Sequence, residues 1–247
     1  MHKTRIFLWL LILLIHFSSN INAQKKIPSK LEARKTAKLA VKYLNSEKFE
    51  KSLETARLSL HYASIIKDNY LIAASYNIIA ANFDELSEYD KAILFYKKGL
   101  TYANKTDNDT IKNYINNNLG NVYCFEKKQY KNGINHYKKS LEYSEKDADT
   151  IQIVFTKLNI AWAYFDIKEY ENGIPYLEYV NKYYSKFGEE STIVVFHMLN
   201  GMYYSHLGLN EKAEPFFLKA IELGKKNKEM NDLSFSHDEY SKFLLKK

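Results

Sequence analysis

Small residues recur along this 247-residue chain at a near-constant spacing of forty: Ala40, Ala80, Gly120, Ala161, Gly201 and Ser241. Four further series keep the same phase. Three residues after each small position stands an aromatic (Tyr43, Phe83, Tyr123, Tyr164, Tyr204), with Leu244 in the last copy. A second set opens with Phe49, Tyr89, Tyr130 and Tyr170, and with Asn210 as the exception. It continues with Ser52, Ala92, Gly133, Gly173 and Ala213. Four residues further on come Ala56, Tyr96, Tyr137, Leu177 and Phe217. Spacings of three and four stack side chains on one face of a helix. Each copy therefore reads as two amphipathic helices around a short polar break, such as residues 84–88 in the clearest copy, residues 75–100. A lone hairpin of this kind cannot bury its apolar faces. A fixed period of about forty residues lets each copy bury them on the next, which is the pattern of a solenoid.

Composition agrees with helices throughout. Eight glycines and 3 prolines are few for a sandwich, a barrel or a disordered chain. The 21 tyrosines suit helix packing in which the ring is buried and the hydroxyl reaches water or a carbonyl.

The runs Leu119-Gly120 with Tyr123, and Leu207-Gly208 ahead of Glu211-Lys212-Ala213, resemble the tetratricopeptide repeat family. The likeness extends over residues 30–247. The usual period of that family is about 34 residues, so this chain is similar to its long-repeat variant, met in exported bacterial proteins and in sensor regions of membrane regulators. The resemblance implies an all-α, right-handed superhelical solenoid of antiparallel hairpins. Its repeats would span about 30–68, 69–108, 109–148, 149–189 and 190–230, with a terminal helix over 232–247. It also implies that the first helix of each hairpin lines a concave face able to hold a peptide or a partner helix.

Ahead of the repeats, Lys3 and Arg5 precede an apolar run over residues 6–17, and Ala23 is a small residue before Gln24. These are the three parts of a secretory signal, so residues 1–23 are expected to direct export, with cleavage after Ala23. The apolar run is short for a bilayer span; retention as an anchor is the alternative. Residues 24–29 form a linker, and Ser29 is expected to cap the first helix. The lone cysteine, Cys124, allows no internal disulfide. Membrane attachment would come only through an uncleaved signal or a segment beyond residue 247.

The formal charge of +7 arises from 36 basic and 29 acidic residues mixed along the chain. Such mixing describes solvated helix faces, and without an aromatic-basic platform it argues against nucleic acid as a partner. Signatures of catalysis are missing too. None of the seven histidines pairs with another at metal-ligand spacing. No phosphate-cradling glycine loop or nucleophile elbow occurs. The expectation is a protein without enzymatic activity, cofactor or metal, whose partner is a protein or peptide.

The candidate groove comes from counting along the first helices. One inward row holds Asn77, Asn117 and Leu158; the next holds Asn121, Trp162 and Met202. Asparagine offers a donor and an acceptor together, matching a peptide backbone, while Trp162, Phe165 and Met202 would form an apolar wall. The competing reading makes Trp162 a core residue and the asparagines a bias of composition. Lysines that clamp a C-terminal carboxylate in some family members are absent here, since Ala37, Asn77, Asn117, Leu158 and Met198 fill one such row.

Two departures from regularity stand out. The third copy is one residue longer between Leu119 and Tyr130 than the second is between Ile79 and Tyr89, so a helix extension or a bulge is expected near residues 124–129. The last copy has only a first helix, which is either a solvating cap or the point at which a sensor region has lost its output module. The reading is thus a scaffold that binds a segment in its groove, with a truncated sensor region as the alternative. Nothing in the sequence fixes the oligomeric state.

Overall fold

The computed structural model describes residues 27–228 and 230–246. The expected signal at residues 1–23 lies outside the described residues. Among those described there are eleven α-helices and no strand. They are α1 (Lys30–Leu44), α2 (Phe49–Ile65), α3 (Asn69–Glu85), α4 (Tyr89–Ala103), α5 (Asp109–Asn121) and α6 (Tyr130–Lys146). Then come α7 (Thr150–Asp166), α8 (Tyr170–Phe187), α9 (Ile193–His206), α10 (Asn210–Asn227) and α11 (Met230–Leu244). Each odd helix packs on the even helix after it, giving five hairpins and a final single helix. This is the helical-hairpin solenoid expected from the periodicity.

The helix starts are set by local chemistry. Ser29 accepts from the Glu32 backbone N–H while the Glu32 carboxylate accepts from the Ser29 N–H, a reciprocal capping box. Asp68, Asn108 and Asp149 cap α3, α5 and α7 through the N–H groups of Leu71, Ile111 and Gln152. Most helix ends turn through one left-handed residue: Glu47, Lys67, Ser87, Lys128, Ala148, Lys168, Gly208 and Lys228, only one of them glycine.

These turns contain the hydrogen bond that locates the extra residue. The N–H groups of Lys48, Glu88, Glu169 and Leu209 donate to the carbonyls of Tyr43, Phe83, Tyr164 and Tyr204, five residues back. In the third hairpin Gln129 donates to Tyr123, six residues back, at 2.7 Å. The added residue is absorbed by a π-helical turn, Val122–Glu126, which continues α5. Of the two outcomes open to the sequence, the bulge is the one that forms.

The small positions are where paired helices meet. A Cβ on Gly120 would run into the Tyr137 ring, and one on Gly201 would stand 2.8 Å from Phe217. Ala40, Ala80 and Ala161 are fully buried at the same place. Ser241, the sixth member of the series, is exposed, because no described helix lies over it.

Odd helices touch one another from repeat to repeat, α1 with α3, α3 with α5, α7 with α9 and α9 with α11, so they form the inner, concave layer. Backbone contact is thinnest between α5 and α7. There the core also divides into a cluster built around α1–α5 and another around α7–α11. A smaller set that includes Cys124, Ile134, Tyr137, Leu141 and Ile160 bridges the two.

Candidate functional site: the concave face

The concave face carries two recesses with different chemistry. Nearest the N-terminus, two adjoining cavities of about 490 and 260 Å³ share Ala37, Lys38 and Ala74 between α1 and α3. Lys30, Arg34 and Lys38 give this end a basic rim. Lys30 is held by Asp68 at 2.6 Å.

The larger recess, of about 640 Å³, opens beside the π turn, where α5 and α7 part. One extra residue rotates the next side chains by about 100° round a helix, and Phe125 and Glu126 come to line this cavity. Phe125 lies against Trp162 of α7, with ring centroids 4.3 Å apart. Trp162 in turn meets Phe235 of α11 edge-on at 5.6 Å. Side chains from the third, fourth and sixth copies thus build one aromatic wall. Asn121 and Asn159 add polar groups, and Asp84, from the end of α3, adds a carboxylate beside that of Glu126.

Burial pushes Asp84 up to about 7, and the neighbouring Glu126 and Glu85 carboxylates add to the effect. The acids around this pair are matched with cations: Asp90 with Lys127 at 2.8 Å, Asp166 with Lys128 at 3.7 Å, and Glu88 with Lys91. Among the described residues, no ion pair is made by Asp84 or Glu126.

The six groove candidates occupy different surroundings. Asn121 and Trp162 line the large recess together. Asn77 lines the smallest N-terminal cavity, and its side-chain oxygen accepts from Asn118 at 3.2 Å. Asn117 is buried, 3% exposed, and its oxygen accepts from Asn159 at 3.2 Å. These two asparagines tie neighbouring inner helices together, α3 to α5 and α5 to α7. Asn121 likewise accepts from the Tyr137 hydroxyl at 2.6 Å.

Phe165 is a core residue, 1% exposed, packed against Tyr170 and over Gly173, so it forms no groove wall. Met202 is 5% exposed, in the core that α11 completes, and does not line the large recess. Trp162 itself is half-buried, and its indole N–H is enclosed with no acceptor among the described residues.

Sequence reasoning missed Phe125, Glu126, Asp84 and Phe235. The slip in the third copy pointed to the first two. Asp84 carried no signal, lying 42 residues from Glu126 in another repeat.

The buried histidines belong to the packing. His136 stacks on Tyr123 and bonds to Asn116 at 2.9 Å, and burial lowers it to about 4. His197 is lowered by burial among Phe196 and Phe216. No group of three or more histidine, cysteine or carboxylate side chains suited to a metal occurs among the described residues.

The tetratricopeptide repeat family matches residues 114–147 and 197–227, within the third and fifth hairpins. No curated protein matches the sequence. Among solved structures, BtubC (BKLC) from P. vanneervenii is similar over 80% of this chain and 82% of its own, at 17% identity and a TM-score of 0.66. Aspartyl phosphate phosphatase F from Bacillus subtilis is similar over 89% of this chain and 61% of its own, at 17% identity and a TM-score of 0.65. A Rap protein complexed with competence and sporulation factor is similar over 88% of this chain and 66% of its own, at 15% identity and a TM-score of 0.63. This chain therefore spans less than two thirds of the length of the last two. At such identities the likeness is one of fold. The chain folds as a tetratricopeptide-repeat solenoid, with the family's own repeat carried in its third and fifth hairpins.

Proposed function

We propose that this protein is an exported, non-enzymatic scaffold that holds an extended peptide or protein segment along its concave face. The observation that carries the reading is the recess of about 640 Å³ on that face, whose walls come from α3, the π turn, α7, α9 and α11. A cavity of this size accommodates side chains of a bound segment, and the smaller cavities between α1 and α3 continue the same face. A relative in fold, the Rap protein, was crystallised with competence and sporulation factor.

Selection from a display library of peptides about 12 residues long, enough to cross several inner helices in extended form, tests the groove. Peptides should be recovered that bind the wild-type chain and lose binding to Ser191→Trp. Ser191 is exposed on the rim of the large recess, so the new indole fills the cavity without disturbing the core, and the thermal midpoint should not move. Equal binding to both proteins would place the ligand elsewhere. Export is tested separately: expressed in a bacterial host, the full chain should be recovered outside the cytoplasm with Gln24 as its first residue. A cytoplasmic chain that retains Met1 would refute it.

A further inference from the structure

We propose that the large recess is a receptor for one basic side chain, lysine or arginine, of the segment held in the groove. This rests on the groove reading and adds the chemistry of its anchoring residue.

Two independent features converge. The first is charge. Asp84 and Glu126 sit together at the cavity edge with no cation paired to them among the described residues, while Asp90, Glu88 and Asp166 nearby each have one. Lys128 also lines the cavity, but its ammonium is engaged by Asp166 and lies 6.0 Å from the Tyr130 ring centroid. Where Asp84 is ionised, the two carboxylates held close at a partly desolvated edge repel each other, and a ligand cation relieves that repulsion and favours the ionised form, where an acidic or neutral group does not.

The second feature is the wall. Phe125, Trp162 and Phe235 present aromatic surface from three copies. Aromatic faces attract ammonium and guanidinium groups, more strongly where water is excluded. They also cover the methylene stem of a long basic side chain, whose charged end then reaches the carboxylates. An aliphatic ligand would use the wall and leave the acids unmatched; a small cation would do the reverse. Lysine and arginine use both.

The test starts from peptides selected on the full wild-type chain. Each lysine is replaced by norleucine and each arginine by citrulline, and affinities are measured by calorimetry against the wild type and against Asp84→Asn/Glu126→Gln. One replacement should weaken binding to the wild type at least tenfold and have under a twofold effect on the double variant. Selected peptides without a basic residue, or a basic residue whose effect persists in the double variant, would overturn this inference and leave the groove intact. Recovery of no binding peptide would overturn the groove and this inference together. Circular dichroism guards against misfolding of the double variant, which removes two charges that repel and so should fold.

Discussion

Asp84 shows what a single side chain in this recess costs and when. Its ordinary value is near 4, and in the folded chain burial and the Glu126 and Glu85 charges lift it to about 7. Below pH 4 both folded and unfolded chains hold the proton, and no stability difference arises from it. Between pH 4 and 7 the folded chain keeps a proton that the unfolded chain releases, so stability falls as pH rises; above pH 7 the full penalty remains. Asp84→Asn should therefore match the wild type at pH 4 and exceed it at pH 8. Three pKa units correspond to about 4 kcal/mol, and solvent screening of the partly exposed carboxylate reduces the expected gain to on the order of 2 kcal/mol, read from urea midpoints at both values. The same carboxylate illustrates why part of the site was illegible in the sequence. Asp84 and Glu126 read there as ordinary surface acids, because only the stacking of consecutive inner helices brings their two turns together. Phe165 and Met202 were misplaced for a related reason. On a helix packed on several sides, the groove face and the core face adjoin, and one position is about 100° of rotation.

At the scale of the element, the π turn at Val122–Glu126 is the feature that sets the third hairpin apart. Its existence was legible, since the series of small and aromatic positions slips by one residue between Leu119 and Tyr130. Its consequence was not, because a shifted count leaves open whether the helix lengthens or bulges. The structure places the slip between Tyr123 and Gln129, where the closing hydrogen bond spans six residues. π turns occur often at functional sites, and this one re-aims a few side chains without breaking the helix. Deleting Lys127 should restore the five-residue closure seen in the other hairpins. The deletion removes one exposed ion pair, to Asp90, worth under about 1 kcal/mol. The expected result is a chain with nearly unchanged urea midpoint that no longer binds peptides selected on the wild type. Retained binding would show that Phe125 and Glu126 need not be aimed this way.

Across the whole molecule, stability is divided. Solenoids gain theirs from contacts between neighbouring copies, and here the inner-layer backbones part between α5 and α7, the two largest core clusters lie on either side, and α6 with the smaller set around Cys124 and Tyr137 joins them. Native-state amide exchange should therefore resolve two cooperative units, residues of α1–α5 and residues of α7–α11, with different opening free energies. A single common opening energy across all eleven helices would contradict that division. Ligand bound in the large recess touches both sides of the junction and should bring the two values together. The repeat architecture was the most legible property of the sequence, since five series in one phase admit few other folds. The junction was the least, because it depends on how closely backbones approach, which no spacing of residue types records.

Trp162 has one more consequence, an optical one. The chain contains two tryptophans, Trp9 and Trp162. Loss of residues 1–23 leaves a single indole, half-buried in the wall of the recess between Phe125 and Phe235. Excited at wavelengths that spare tyrosine, a chain prepared without residues 1–23 then emits from one place only. Its emission maximum should shift to the blue when a peptide displaces water from the recess, and should stay fixed when the added peptide is one that does not bind. The protein carries its own occupancy meter.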